Sequence, residues 1–64
     1  MKEIYEVTGN YGACIFHSRE DAVSALWMVA QYHGMDLSRE QAEAALERDG
    51  FYERFPLAVR ECRA

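Results

Sequence analysis

The stretch FYERFPLAVRECRA, residues 51–64, decides the fold of this chain. Read as a helix, it begins at Pro56, because proline suits a first turn and is excluded from a helix interior. Phe55, Ala58, Val59 and Cys62 then share one helical face. Read as extended chain, it is a final strand. The helical spacing predicts a short third helix at 56–62, with a final strand as the alternative.

The segments upstream are easier to read. SREQAEAALERDG, residues 38–50, opens with Ser38 as an N-cap and places Gln41 at the capping-box position. The spacing predicts a helix over 39–49 that Gly50 ends. Before it, Ser18 with Asp21 three residues later starts a first helix over about 19–33. Ala22, Ala25, Leu26, Val29 and His33 recur there at spacings of three and four, and Val23, Trp27 and Ala30 widen the apolar side. Gly34 follows as the residue after the cap, and Met35 to Leu37 make a tight connection.

Nearer the start, KEIYEVT at 2–8 alternates and carries Ile, Tyr, Val and Thr, which marks a strand. GNYG at 9–12 is a hairpin turn, and ACIFH at 13–17 is the return strand. A two-residue loop pairs Tyr5 with Cys14, and a four-residue loop pairs it with Phe16. Either register leaves Tyr5, Val7, Cys14 and Phe16 on one inward face, because side chains alternate with a period of two. Ile4 and Ile15 then lie on the other face, as a partly exposed or contact surface. A hairpin alone is marginal and must pack on the helices. The expected fold is therefore α+β. It is a two-stranded antiparallel β-hairpin followed by two or three short helices packed on one face, in a single domain over 1–64.

A chain of 64 residues buries only about 60% of its unfolded surface, which leaves no room for a large enclosed active site. Half of the residues are apolar and 28% are charged, as in a folded globular chain. The net charge of −4 speaks against direct binding to nucleic acid or to anionic membranes. No signal-peptide pattern opens the chain, and Ala22 to Met35 is too short to span a bilayer. The expected location is cytoplasmic, in a host cell, with Cys14 and Cys62 as reduced, buried small hydrophobes, a bridge between them staying open only if they meet in space.

The helix over 39–49 carries a feature beyond its fold. At 100° per residue, Glu40, Glu43 and Glu47 fall within about 60° of one another, opposite Ala42, Ala45, Leu46 and Asp49. Arg39 and Arg48 flank this ridge without covering it, and Asp36 and Glu53 extend it. Residues 36–54 hold six acids and three arginines, a local balance of −3. A solvated helix face has this composition too. The sharper reading is a ridge that imitates nucleic-acid phosphates, since its carboxylates rise by about 4.5 and 6 Å along the axis. Such a surface engages the lysines and arginines of a DNA-binding protein by steering and by charge-assisted hydrogen bonds.

Other chemistry is poorly represented. Cys14 and His17 point to opposite faces of a strand, and the chain lacks Cys-x-x-Cys and His-x-x-x-His pairs, so no metal or other cofactor is expected. Ser18 and Ser38 are caps, and the glycines form no phosphate-binding loop. The expectation is a non-enzymatic protein. The two helices and the GMDLS turn loosely suggest a helix-turn-helix, but the exposed face of the second helix is glutamate where a DNA reader needs donors. Most of Trp27, Phe51, Tyr52 and Phe55 should complete the core, with one or two left exposed as interface anchors and Tyr11 at the hairpin tip the clearest exposed ring.

A short acidic frame that starts at Met1, with a β-hairpin followed by small helices, resembles the phage-encoded anti-CRISPR proteins. It is most similar to the small acidic inhibitors of type I systems, type I-C among them. The resemblance covers size, charge and element order over the full length. It implies a viral inhibitor that mimics double-stranded DNA and occupies the surface of the Cascade large subunit that reads the protospacer-adjacent motif. Glu40, Glu43 and Glu47, with Asp36 and Glu53, would meet basic residues of that partner. The alternative is a small dimerising protein-interaction module acting through hydrophobic contacts. Monomer and homodimer both stay open.

Overall fold

The computed structural model describes residues 3–9 and 12–63. Their order is β1 (Glu3–Gly9), β2 (Gly12–Phe16), α1 (Arg19–Tyr32), α2 (Arg39–Asp49), β3 (Phe51–Arg54) and β4 (Leu57–Arg63). The chain is α+β, with one four-stranded antiparallel sheet in the order β2-β1-β4-β3 and two helices on one of its faces.

The expected third helix at 56–62 is replaced by β4, the final strand of the alternative reading. Within residues 57–60 the burial alternates. Leu57 and Val59 are buried, Ala58 is half-buried and Arg60 is exposed, a period of two rather than 3.6. Pro56 lies in the turn between β3 and β4, where its fixed φ also fits. β4 pairs with β1 from Ala58 opposite Thr8 to Arg63 opposite Glu3. Its backbone groups are thus satisfied by a strand about fifty residues away, and that tertiary pairing overrides the local helical spacing. The segment 51–54, expected to be only an aromatic cluster, becomes an edge strand paired with β4.

The hairpin takes the register in which Tyr5 faces Phe16, with Val7 opposite Cys14 and Gly9 opposite Gly12. Tyr11 lies outside the described residues. Tyr5 and Val7 point inward and are buried. Cys14 shares their face by register, yet it is exposed, because β2 is an edge strand that α1 covers only partly. Cys62 is half-buried opposite Ile4, on the other face of the sheet, so the two free thiols cannot meet. The expectation of two buried cysteines is corrected on both counts.

Both helices begin and end as their sequences dictate. The Ser18 side chain accepts from the Asp21 N–H, and Glu20 and Asp21 place negative charge in the first turn of α1. At the other end the Met35 N–H donates to the Ala30 carbonyl and the Gly34 N–H to the Gln31 carbonyl, with Gly34 at φ 69°. This is a Schellman closure, which requires the left-handed conformation that glycine adopts without strain. Ser38 and Gln41 close a reciprocal capping box on α2. Leu37 before the cap and Ala42 in the first turn are both buried in the core, which fixes the angle of entry.

The core forms where α1 lies over β1 and β4 and α2 lies over β3, β4 and α1. Tyr5, Val7, Val23, Leu26, Leu37, Leu46, Leu57 and Val59 fill it, and Ala22, Ala30 and Ala42 let the backbones approach closely. Full burial of each larger aliphatic side chain is worth about 1.5–3 kcal/mol. Trp27, Val29, Tyr52, Phe16 and Met35 pack around the edge. Of the four rings of the sequence reading, Trp27 and Tyr52 pack against the core, while Phe51 and Phe55 are exposed, Phe55 almost entirely so. Among the described residues no helix is long and apolar enough to cross a membrane.

Candidate functional site

α2 is held to the body by three residues, Ala42, Ala45 and Leu46, all buried. Their spacing turns Glu40, Glu43 and Glu47 outward, and all three are exposed. Asp49, grouped with the buried side in the sequence reading, is exposed as well, and its carboxylate pairs with the neighbouring Arg48. The C-cap Gly50 has φ 80°, and its N–H donates to the Leu46 carbonyl. Its own carbonyl accepts from the Glu61 N–H on β4, so the end of α2 is tied to the sheet.

The arginines near this ridge are all engaged elsewhere. Arg39 stacks on Trp27 of α1, its guanidinium carbon 4.7 Å from the ring centroid. Arg48 donates from Nε and Nη2 to Oδ2 of Asp49, each at 3.0 Å. The neighbouring carboxylate holds the Arg48 guanidinium above its ordinary range. Arg54 donates to the backbone carbonyl of Asp36. Among the described residues, none of Glu40, Glu43 or Glu47 takes part in an ion pair. The three carboxylates therefore project into solvent with no ion-pair partner among the described residues.

The two proposed extensions behave differently. Asp36 is exposed beside the start of α2, but Arg54 binds at its carbonyl and brings positive charge to that end. Glu53 sits on β3 opposite Ala58, alternating with the inward Tyr52. It lies on the face of the sheet that carries no helix, and it does not join the ridge. The acidic site on α2 therefore consists of Glu40, Glu43 and Glu47.

A second charged group lies at the junction of β1 and α1. The buried Tyr5 hydroxyl donates to Oε1 of Glu3, and Arg19 stands beside it. Burial pushes the Tyr5 phenol above 10.0, and the Glu3 carboxylate adds to the shift, while Arg19 opposes it. This group ties the first strand to the first helix. His33 caps α1, with its ring edge-on to Tyr32 at 5.4 Å between centroids. Among the described residues no three His, Cys, Asp or Glu side chains gather as metal ligands.

The sequence predicts the helix-free face of the sheet only in its hairpin part, through Ile4 and Ile15, and β4 and β3 complete it. Ile15, Glu6, Arg60 and Phe51 stand side by side across the four strands. Arg60 donates from Nε to Oε1 of Glu6 at 2.7 Å. The alternation in LAVREC is the local signal for its β4 part, since it sets Arg60 and Cys62 on the face opposite Leu57 and Val59. Comparison with known protein families, with characterised proteins and with solved structures finds no match.

Proposed function

We propose that this chain is a non-enzymatic inhibitor or interaction protein whose α2 ridge occupies a basic, nucleic-acid-binding surface on a partner protein. The observation that carries this reading is the lack of any ion pair on Glu40, Glu43 and Glu47 among the described residues, although three arginines lie within reach in sequence. A solvated helix face gains a few tenths of a kcal/mol from each Glu-to-Arg pair at helical spacing. Here Arg39 and Arg48 are spent on Trp27 and Asp49, which leaves the carboxylates free for a partner's guanidinium and ammonium groups.

The rigidity of α2 also supports the reading. A capping box, a buried alanine face and a tie to β4 hold the backbone positions of the three glutamates in fixed relation before binding. Charge carried on a preformed helix steers association without the cost of ordering the backbone on contact. The resemblance to small acidic anti-CRISPR proteins makes the Cascade large subunit of a type I system the first partner to try.

The test is capture from a host lysate on the immobilised protein, with and without nuclease, across a salt series. The expected catch is a basic nucleic-acid-binding protein, retained after nuclease and released steeply as salt rises. A catch that disappears with nuclease, or that is indifferent to salt, contradicts the proposal.

A further inference from the structure

We propose that the helix-free face of the sheet binds a second copy of this chain, through a two-fold axis that runs parallel to the strands between β1 and β4. This surface is separate from the α2 ridge, and the inference does not depend on the function proposed for that ridge.

The face is unusually apolar for one that nothing covers. Ile15 and Phe51 remain 53% and 52% exposed there. Ile4 and Cys62 form a neighbouring half-buried row, and a third row of small side chains, Ala13, Thr8 and Ala58, ends at the exposed Glu53 on the edge strand, which the two-fold axis would set against Ala13. A groove between Phe51, Glu53, Ala58, Arg60, Glu6 and Thr8 crosses it. Antiparallel sheets tolerate one solvated face, but that face is then normally polar. This one carries a single ion pair at its centre, Glu6 with Arg60.

The order of residues across the strands selects the occupant. The central row reads Ile15, Glu6, Arg60, Phe51 from β2 to β3. Turned over about an axis along the strands, the same row reads Phe51, Arg60, Glu6, Ile15. Each Glu6 then meets the second copy's Arg60, and each Ile15 meets the second copy's Phe51. The four charges form an alternating ring in which every guanidinium has two carboxylate neighbours. In the next row Ile4 meets Cys62, and the small residues beside the centre let the sheets approach to about 10 Å. A two-fold axis across the strands would set Glu6 on Glu6 and Arg60 on Arg60, and like charges oppose that arrangement. The face is thus self-complementary in charge and in apolar content under one symmetry operation, as an isologous dimer requires. The helices lie on the opposite face, so both acidic ridges stay open to solvent in such a dimer.

The experiment is sedimentation equilibrium on the full chain and three variants, with circular dichroism on each to establish folding. The wild type is expected at twice its 7.4 kDa chain mass. Glu6→Arg and Arg60→Glu are each expected to be folded monomers, since each sets like charges against one another across the axis. Mixed in equal amounts, they are expected to form a heterodimer, because the central pair of one face is then positive and that of the other negative. Phe51→Thr, which keeps strand propensity at an edge position, is expected to weaken dimerisation by roughly tenfold or more. A wild type that stays at the monomer mass up to about 1 mM overturns the proposal. So does wild-type dimerisation by either folded charge variant, or by Phe51→Thr, or a mixture of folded charge variants that stays monomeric.

Discussion

The guanidinium carbon of Arg39 lies 4.7 Å from the centroid of the Trp27 indole, so the first arginine of α2 is bound to α1 and not to the glutamate beside it. One contact serves both packing and charge. It docks the start of α2 on α1, and it keeps a positive group off the ridge.

Arg39→Ala should therefore lower stability by about 0.5–1 kcal/mol, the range for a cation–π contact at a solvent-accessible site. Urea denaturation measures this. The same variant adds one unit of net negative charge near the ridge, so capture of a basic partner should be retained or strengthened.

The anchoring of α2 rests on few atoms. Leu46 is 2% exposed, and Leu46→Ala should cost about 2–5 kcal/mol. In a domain of this size that is most of the available stability, and the variant should be largely unfolded by circular dichroism. Glu43→Ala, one turn away on the exposed side, should change stability by less than about 0.5 kcal/mol.

The ends of α2 supply smaller amounts. Ser38→Ala removes the hydroxyl that accepts from the Gln41 N–H, leaves the Ser38 backbone N–H to donate to the Gln41 side chain, and should cost about 1 kcal/mol. Gly50→Ala should cost about 1–2 kcal/mol for the left-handed backbone at φ 80°, although a methyl group there has open space around it. Thermal melts of the two single variants and the pair should show nearly additive losses, since the sites are separated by the length of the helix.

Alkaline pH should act through Tyr5. Its phenol is held above the ordinary 10.0 in the folded chain, first by burial and then by Glu3. The folded state therefore binds this proton more tightly than the unfolded state. The resulting stability is fully present below the unfolded value and is lost as pH rises through the folded one. Melting temperatures measured upward from pH 9 should fall in the wild type, and Tyr5→Phe should show a shallower fall over the same range.

The helices and their ends were legible because their signals are local. Ser18, Ser38, Gln41 and Gly50 each act on backbone groups within four residues, and each occupies its expected position. The hairpin face was equally local, and the structure chooses between its two registers, with Tyr5 opposite Phe16. The tail was not legible, because Phe55, Ala58, Val59 and Cys62 satisfy a helical period while Leu57 and Val59 satisfy a strand period. What decides between them is the edge of β1, which is left open by a hairpin formed at the other end of the chain. The ridge was read from three glutamates on one helix, and all three are exposed. Its supposed extension to Glu53 failed because Glu53 belongs to a strand whose existence depends on that same distant pairing.

The most direct test of the central claim is partner capture by the triple variant Glu40→Lys, Glu43→Lys, Glu47→Lys, compared with the wild type at low and at physiological salt. All three positions are solvent-exposed, so the variant should keep the wild-type circular dichroism spectrum. The account predicts that the folded variant captures no partner at either salt concentration. Normal capture by the folded variant would contradict it.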